Sequence, residues 1–285
     1  MPISPYVDRV EILDMTAFSV VFTEHGNKQT VLKGVSVWVD GIEYDRRSLA
    51  VDGMIEQEAA TYNEIGDHPF IIKSFGLEIV NQATNACALR LERAPLGCLR
   101  KFIMKAPPEK IPPMTTRLRI AADFAEGLSH VHSRRILWAD LSVRNTLLFD
   151  NFKIKLSDFG GSGHPETDDE AMVAYENRYD PPVRFSHGDI SMMAREIFAL
   201  GTAVCEITEW RVPYGTSNDD NEEVNPRLMR GEYPDLSPDN PAKDVIKRCW
   251  TEYPSVSEMW EKYTYAHEVC QSLRQLTGRD EFHED

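Results

Sequence analysis

The stretch WADLSVRNTLLFDNFKIKLSDFGG, residues 138–161, decides how the rest of the chain is read. Asp140 is followed five positions later by Asn145, and Asp158 by Phe159 and Gly160. Between Asn145 and Asp158, apolar and polar residues alternate around Asp150-Asn151, which reads as a short hairpin with a turn at its middle. Asp and Asn are common turn residues for local reasons. Two acids and an amide held apart by a hairpin also suit the gripping of metal ions and phosphate.

Outward from this stretch the texture differs on the two sides. FSVVF and TVLKGVSVWV are rich in β-branched and aromatic residues and are separated by HGNKQ, so they predict strands. MIEQEAATYNEI, residues 54–65, predicts a helix that ends before Pro69, whose ring disfavours helical geometry at His68. FIIKSFGLEIV and ACALRLE return to strand character within 70–92. Beyond APLG, helices are predicted over 99–105, through TTRLRIAADFAEGLSHVHSRR, over 191–210 and within 241–276. In the second of these, Leu118, Ala121, Ala122, Ala125 and Leu128 have helical spacing. The order predicts an α+β chain in two lobes with a cleft between them. Residues 1–92 form a mainly β lobe with one helix, 93–97 a hinge and 98–285 a mainly helical lobe.

Composition narrows the partners. The 285 residues carry a formal net charge of −15 and no run of five basic residues, which argues against nucleic acid and anionic membrane surfaces. The five cysteines are odd in number and lack metal-ligand spacing, which predicts reduced thiols in a cytoplasmic or nuclear protein. No apolar signal core or membrane-length apolar run is present.

Asp-Leu-x-x-x-Asn, a hairpin and Asp-Phe-Gly, in that order, resemble the catalytic core of a eukaryotic-type protein kinase domain, and the resemblance spans nearly the whole chain. It implies ATP and Mg2+, with Mn2+ as a substitute, and a protein substrate or regulatory protein partner. Asp140 would take the acceptor hydroxyl's proton, Asn145 and Asp158 would hold the metal, and catalysis would come from positioning and charge neutralisation. Arg144, four after Asp140, matches the tyrosine-kinase form and joins the catalytic set. Lys33 in T-V-L-K falls where the family has V-A-I-K, and Glu58 is its expected helix partner; Glu56 would face another side of that helix. Val21, Val31 and Leu91, with the backbone of Glu92 to Ala94, fall among the nucleotide-binding positions.

The departures are as specific as the matches. The glycine-rich phosphate loop falls on Asp14 to Val21, which contains no glycine and implies weaker nucleotide binding. Val31 replaces an alanine over the adenine. Trp138 and Ala139 replace the His and Arg before Asp140, and an aromatic stack of Tyr62, Trp138 and Phe159 is expected. Ser142 replaces a lysine, and Tyr175 stands where a threonine is usual, so the choice between serine/threonine and tyrosine acceptors stays open. The closing A-P-E falls on Asp180-Pro181-Pro182, and its arginine partner on Ser257. Glu196 replaces the helix aspartate that braces the catalytic loop. Without the arginine at Ala139, and with Glu166, Asp168, Asp169 and Glu170 around Thr167, the segment is expected to need no phosphorylation. Three readings follow: an active divergent protein kinase, a pseudokinase acting as a binding or scaffold protein, and a small-molecule phosphotransferase of related fold. CWTEYP and the segment ending in Pro-Pro count against the last.

Overall fold

The computed structural model describes residues 10–16, 18–39, 42–45, 53–81, 86–164, 175–182, 191–216, 218–252 and 265–278. Ala17, the acidic run at 166–170, Tyr253-Pro254 and Ser257 lie outside them. The chain divides into two compact units, Met1–His68 with Ile72–Pro95, and Pro69–Ile71 with Leu96–Asp285.

The first unit is built on an antiparallel five-stranded sheet in the order β1-β2-β3-β7-β6. Its strands are β1 (Val10–Met15), β2 (Val20–Glu24), β3 (Thr30–Gly34), β6 (Ser74–Asn81) and β7 (Ala86–Glu92), and β4 (Ser36–Val39) pairs with β5 (Ile42–Asp45) as a separate ribbon. TVLKGVSVWV is therefore two strands in two sheets, broken at Val35. An unbroken apolar run shows strand character but not a change of pairing partner. One sheet face buries Val10, Val20, Phe22, Leu32 and Ala88 with Val37 of β4; each large side chain there contributes about 1.5–3 kcal/mol. Helix α1 (Met54–Ile65) packs against β6 and β7 through Ile55, Glu58, Ala59, Tyr62 and Ile65. It stops at Gly66, whose φ of 75° is open to glycine at little cost.

The second unit is helical: α2 (Leu99–Lys105), α3 (Met114–Ser133), α4 (Met192–Glu209), α5 (Asn218–Met229), α6 (Lys243–Thr251) and α7 (Tyr265–Leu276). The spaced apolar residues of α3 are buried, and α3 packs on α4 and α7 while α4 packs on α6. The expected hairpin is present as β8 (Thr146–Leu148) and β9 (Ile154–Leu156), with Thr146 opposite Leu156 and Leu148 opposite Ile154. Asn151 and Phe152 turn it with φ of 59° and 55°. Gly127 of α3 lets the hairpin approach: a Cβ there would lie 2.9 Å from Leu156 Cδ1 and 3.2 Å from Phe70 Cβ. Leu156 N–H is in turn held by Phe70 O at 2.8 Å. All five cysteines are free thiols. No helix among the described residues is long and apolar enough to cross a membrane.

Candidate active site

In the first unit, strand register sorts the nucleotide-binding candidates onto one face. Val21 stands opposite Lys33, and Val31 opposite Leu91. Strand alternation therefore puts Val21, Val31, Lys33 and Leu91 on the side away from the Phe22–Leu32 core. Lys33 Nζ lies 2.6 Å from Glu58 Oε2, joining the middle of β3 to α1. Glu58 is fully buried and Glu56 exposed. Of the backbone donors at 92–94, Glu92 N–H bonds to Lys73 O (2.9 Å) and Arg93 N–H to Gln29 O (2.8 Å). The Asp14–Val21 loop closes on itself through Thr16.

In the second unit the chain is held tightly around Asp140. Ser142 caps the turn Val143–Asn145 by accepting from Arg144 N–H. That turn brings two side chains back onto the aspartate: Arg144 Nη2 donates to Asp140 Oδ1 at 2.6 Å, and Asn145 Nδ2 to Oδ2 at 2.8 Å. Burial pushes the Asp140 carboxyl up to about 6, against the pull of Arg144 and Asn145; Asp158 adds to the upward push. Ser157 binds Asn145 O through its N–H (3.0 Å) and its hydroxyl (2.8 Å), which seats Asp158 beside the asparagine.

The donor set fits a small hard cation. Asn145's amide nitrogen is committed to Asp140, also bonding Asp140 O at 2.9 Å, which leaves its carbonyl oxygen as the atom that could ligate a cation together with the Asp158 carboxylate. No cluster of three or more His, Cys, Asp or Glu side chains among the described residues could hold a metal by itself. A magnesium ion held by one or two side-chain oxygens completes its shell with substrate phosphates and water.

The loop is braced from below. Glu196 of α4, fully buried, accepts from Ala139 N–H at 2.7 Å, meets His132 Nε2 of α3, and accepts from the Tyr175 hydroxyl at 3.2 Å. Ala139 has a φ of 64°, which costs a β-carbon residue about 1–3 kcal/mol and persists only where the surroundings hold it. Trp138 and Phe159 stack at 5.4 Å and 30°, and Trp138 Nε1 donates to Asp158 O at 2.9 Å. Phe124 is a second ring beside Trp138, tilted against it with centroids 6.0 Å apart. Tyr62 is buried on α1 in the first unit.

A second buried network lies beside the first. Arg100 of α2 donates to both oxygens of Glu176 (3.1 and 2.9 Å) and to Glu206 Oε2 of α4 (2.8 Å), and its guanidinium lies 5.5 Å from the Tyr179 ring centroid. Ser142 Oγ donates to Glu176 at 3.0 Å, and Tyr179 OH to Glu206 at 2.8 Å. Glu176 lies 3.7 Å from Arg144 Nη1. Charges thus alternate along Glu206, Arg100, Glu176, Arg144 and Asp140. Burial alone would lower the Arg100 pKa, but Tyr179, Glu206 and Glu176 hold it above its ordinary value. Burial would raise Glu176, and Arg100 overrides it to keep the carboxyl below its ordinary value. Asp180, in place of the family's alanine, makes a two-pronged pair with Arg195 of α4 at 2.7 Å.

His132, Arg100, Glu176, Glu206 and Tyr179 are absent from the sequence-derived set. A usable signal was the pair of acids Glu196 and Glu206 on the largely apolar α4. A carboxylate in such a helix must find partners when buried, but the sequence does not say which.

A model of the protein tyrosine and serine/threonine kinase family matches residues 7–283. The tyrosine-protein kinase receptor svh-2 of Caenorhabditis elegans is 28% identical over 212 residues, covering 70% of this chain and 19% of that protein. The serine/threonine-protein kinase LMTK3 of Mus musculus is 25% identical over 275 residues, covering 86% of this chain and 18% of the relative. For mitogen-activated protein kinase kinase kinase 20 of Arabidopsis thaliana the figures are 29% over 172 residues, 57% and 50%. The chain therefore spans half or less of the length of each of these relatives. With the kinase model matched from residue 7 to residue 283, the chain belongs to the protein tyrosine and serine/threonine kinase family.

Proposed function

We propose that the chain is a catalytically competent protein kinase, dependent on ATP and Mg2+, whose nucleotide affinity is low for its family. The observation that carries this is the state of Asp140. Both carboxylate oxygens are oriented, by Arg144 and Asn145, and burial brings the group to about 6. Such a carboxylate is ionised at neutral pH yet poised to accept a proton. Each oxygen keeps a further lone pair for the acceptor hydroxyl of a protein substrate.

In this reading Asn145 and Asp158 hold magnesium, which when bound neutralises phosphate charge. Lys33, fixed by Glu58, contacts the α- and β-phosphates. Val21, Val31 and Leu91 line the adenine. With the N–H groups of Glu92 and Arg93 engaged, the donor to the adenine is Ala94 N–H. Arg144 steadies Asp140 and the acceptor. Residues 93–97 act as the hinge.

The specific observation on the side of a pseudokinase is the self-bonded phosphate loop. Transfer of radiolabel from ATP to a generic protein acceptor, with Mg2+ or Mn2+, tests the choice. Asp140→Asn is expected to cost about 10²–10⁴-fold in rate, the worth of a positioned general base. A wild-type rate no greater than that of this variant would make the chain a binding or scaffold protein.

A further inference from the structure

The loop joining β1 to β2 does something other than lack glycine. Among the described residues, the backbone donors of Met15, Thr16, Phe18 and Ser19 are spent internally. Met15 N–H bonds to Asp14 Oδ1 at 3.0 Å. Thr16 N–H bonds to Ser19 O at 2.9 Å. The N–H groups of Phe18 and Ser19 both converge on Thr16 Oγ1, at 3.3 and 2.9 Å, and the Ser19 hydroxyl shares that oxygen at 2.9 Å. One side-chain oxygen therefore serves as the acceptor at the tip of the hairpin. From Val10 to Glu24 the chain contains no lysine or arginine, while Glu11, Asp14 and Glu24 are acidic. With no cationic side chain, this loop can offer a phosphate only uncharged donors, its backbone amides and hydroxyls, and Thr16 Oγ1 occupies two of the described amides.

We propose that Thr16 is a latch on nucleotide affinity: its hydroxyl stands in for a phosphate oxygen, and a nucleoside triphosphate binds fully only when the loop releases it. The inference rests on the reading of this loop as the phosphate-facing element of the kinase site. A phosphate oxygen, being charged, makes the stronger bond to an amide, so the latch weakens binding without abolishing it. The apparent affinity falls in proportion to the fraction of molecules with the loop released. Thr16 is exposed and at the hairpin tip, so losing its hydroxyl removes no apolar core contact, though it withdraws a partner from the buried Ser19. The alternative role of such a turn is to close the hairpin. That role alone gives a lower melting temperature with no change in affinity.

The two are separated by calorimetric titration of the full chain with Mg-ATP and with adenosine. The proteins compared are wild type, Thr16→Val, which keeps the branched shape without the hydroxyl, and Thr16→Ser, which keeps the hydroxyl. Thr16→Val is expected to bind Mg-ATP about tenfold more tightly, the worth of a hydrogen bond to a charged group. Thr16→Ser should bind like wild type, and adenosine should bind all three equally. Unchanged or weaker Mg-ATP binding by Thr16→Val overturns the latch. So does an equal gain for adenosine, which has no phosphate. If wild type binds Mg-ATP and Lys33→Met abolishes that binding while Thr16→Val changes nothing, the latch is wrong and the kinase reading stands. If no folded variant binds either ligand, both are wrong.

Discussion

The two units treat their polar groups in opposite ways. In the second, a chain of side chains holds Asp140 and its loop: Arg144 and Asn145 on the aspartate, Glu176 and Arg100 behind Arg144, Glu196 under Ala139. In the first, Arg90 ties the sheet through Glu78 and Glu24, but of the candidate site residues only Lys33 and Glu58 are seen paired with each other, on a regular strand and helix, and the loop that in the family holds phosphate bonds to itself. The departures from the kinase pattern have therefore been absorbed differently. Where the proton is to be taken, lost residues are replaced by new partners, as Asp180 finds Arg195. Where phosphate is to be held, the lost glycines are replaced by a closed turn. In the reading proposed above, catalytic geometry and nucleotide grip are separable properties, the first kept by this chain and the second changed.

The largest effect that would sharpen the contrast is on stability. Arg100→Met leaves Glu206, which is fully buried, without its cation and unhooks Glu176. Breaking a buried pair on one side costs about 3–5 kcal/mol, and this variant should fall at the upper end in urea denaturation. Lys33→Met strands one carboxylate and should fall at the lower end. Adding Glu58→Leu should recover most of the Lys33→Met loss, because both charges are then gone. Adding Glu206→Gln to Arg100→Met should recover only part, since Glu176 remains. Equal losses, or full recovery in both, would break the comparison.

A smaller effect concerns pH. Asp140 must be ionised to accept a proton, and its folded-state value of about 6 lies above the ordinary aspartate range because of burial. The kcat/KM profile should therefore fall as pH drops through about 6 and level off above it. Arg144 pulls the value down, so Arg144→Met should move the acid limb to higher pH. An acid limb at the ordinary aspartate pKa, unmoved by Arg144→Met, would remove Asp140 from the role of base. The smallest effect is at Tyr175, whose hydroxyl donates to Glu196 at 3.2 Å. Tyr175→Phe should cost about 1 kcal/mol or less, since Glu196 keeps Ala139 and His132. A larger loss would make Tyr175 a main support of the catalytic loop.

What was legible in the sequence follows a physical division. Helices with a spaced apolar face were readable, and α1 and α2 span the residues expected of them. The hairpin between Asn145 and Asp158 was readable from alternation and a turn pair. Helix α5 was not. NDDNEEVNPRLM is mostly polar, carries Pro226 inside it, and among residues 222–229 buries only Val224 and Leu228, so no pattern marks it. The change of sheet at Val35 was invisible because strand character is local and pairing is not. The same holds at the site. The residues proposed to touch ligands stood out by spacing, whereas Arg100, Glu206 and Tyr179 meet from positions 27 to 106 residues apart and only the fold assembles them.

Trp138 has a consequence of another kind. Its indole is fully buried, lies against the Phe159 ring and gives its N–H to the carbonyl of Asp158. An indole's emission reports the polarity and packing of its surroundings. The residue that replaces a histidine in the catalytic loop has therefore placed a fluorophore directly on the Asp-Phe-Gly turn. Any rearrangement that withdraws Phe159 must unstack that ring and alter its light. With phenylalanine at the other four tryptophan positions, the movement of the Asp-Phe-Gly turn could be followed in real time without attaching any label.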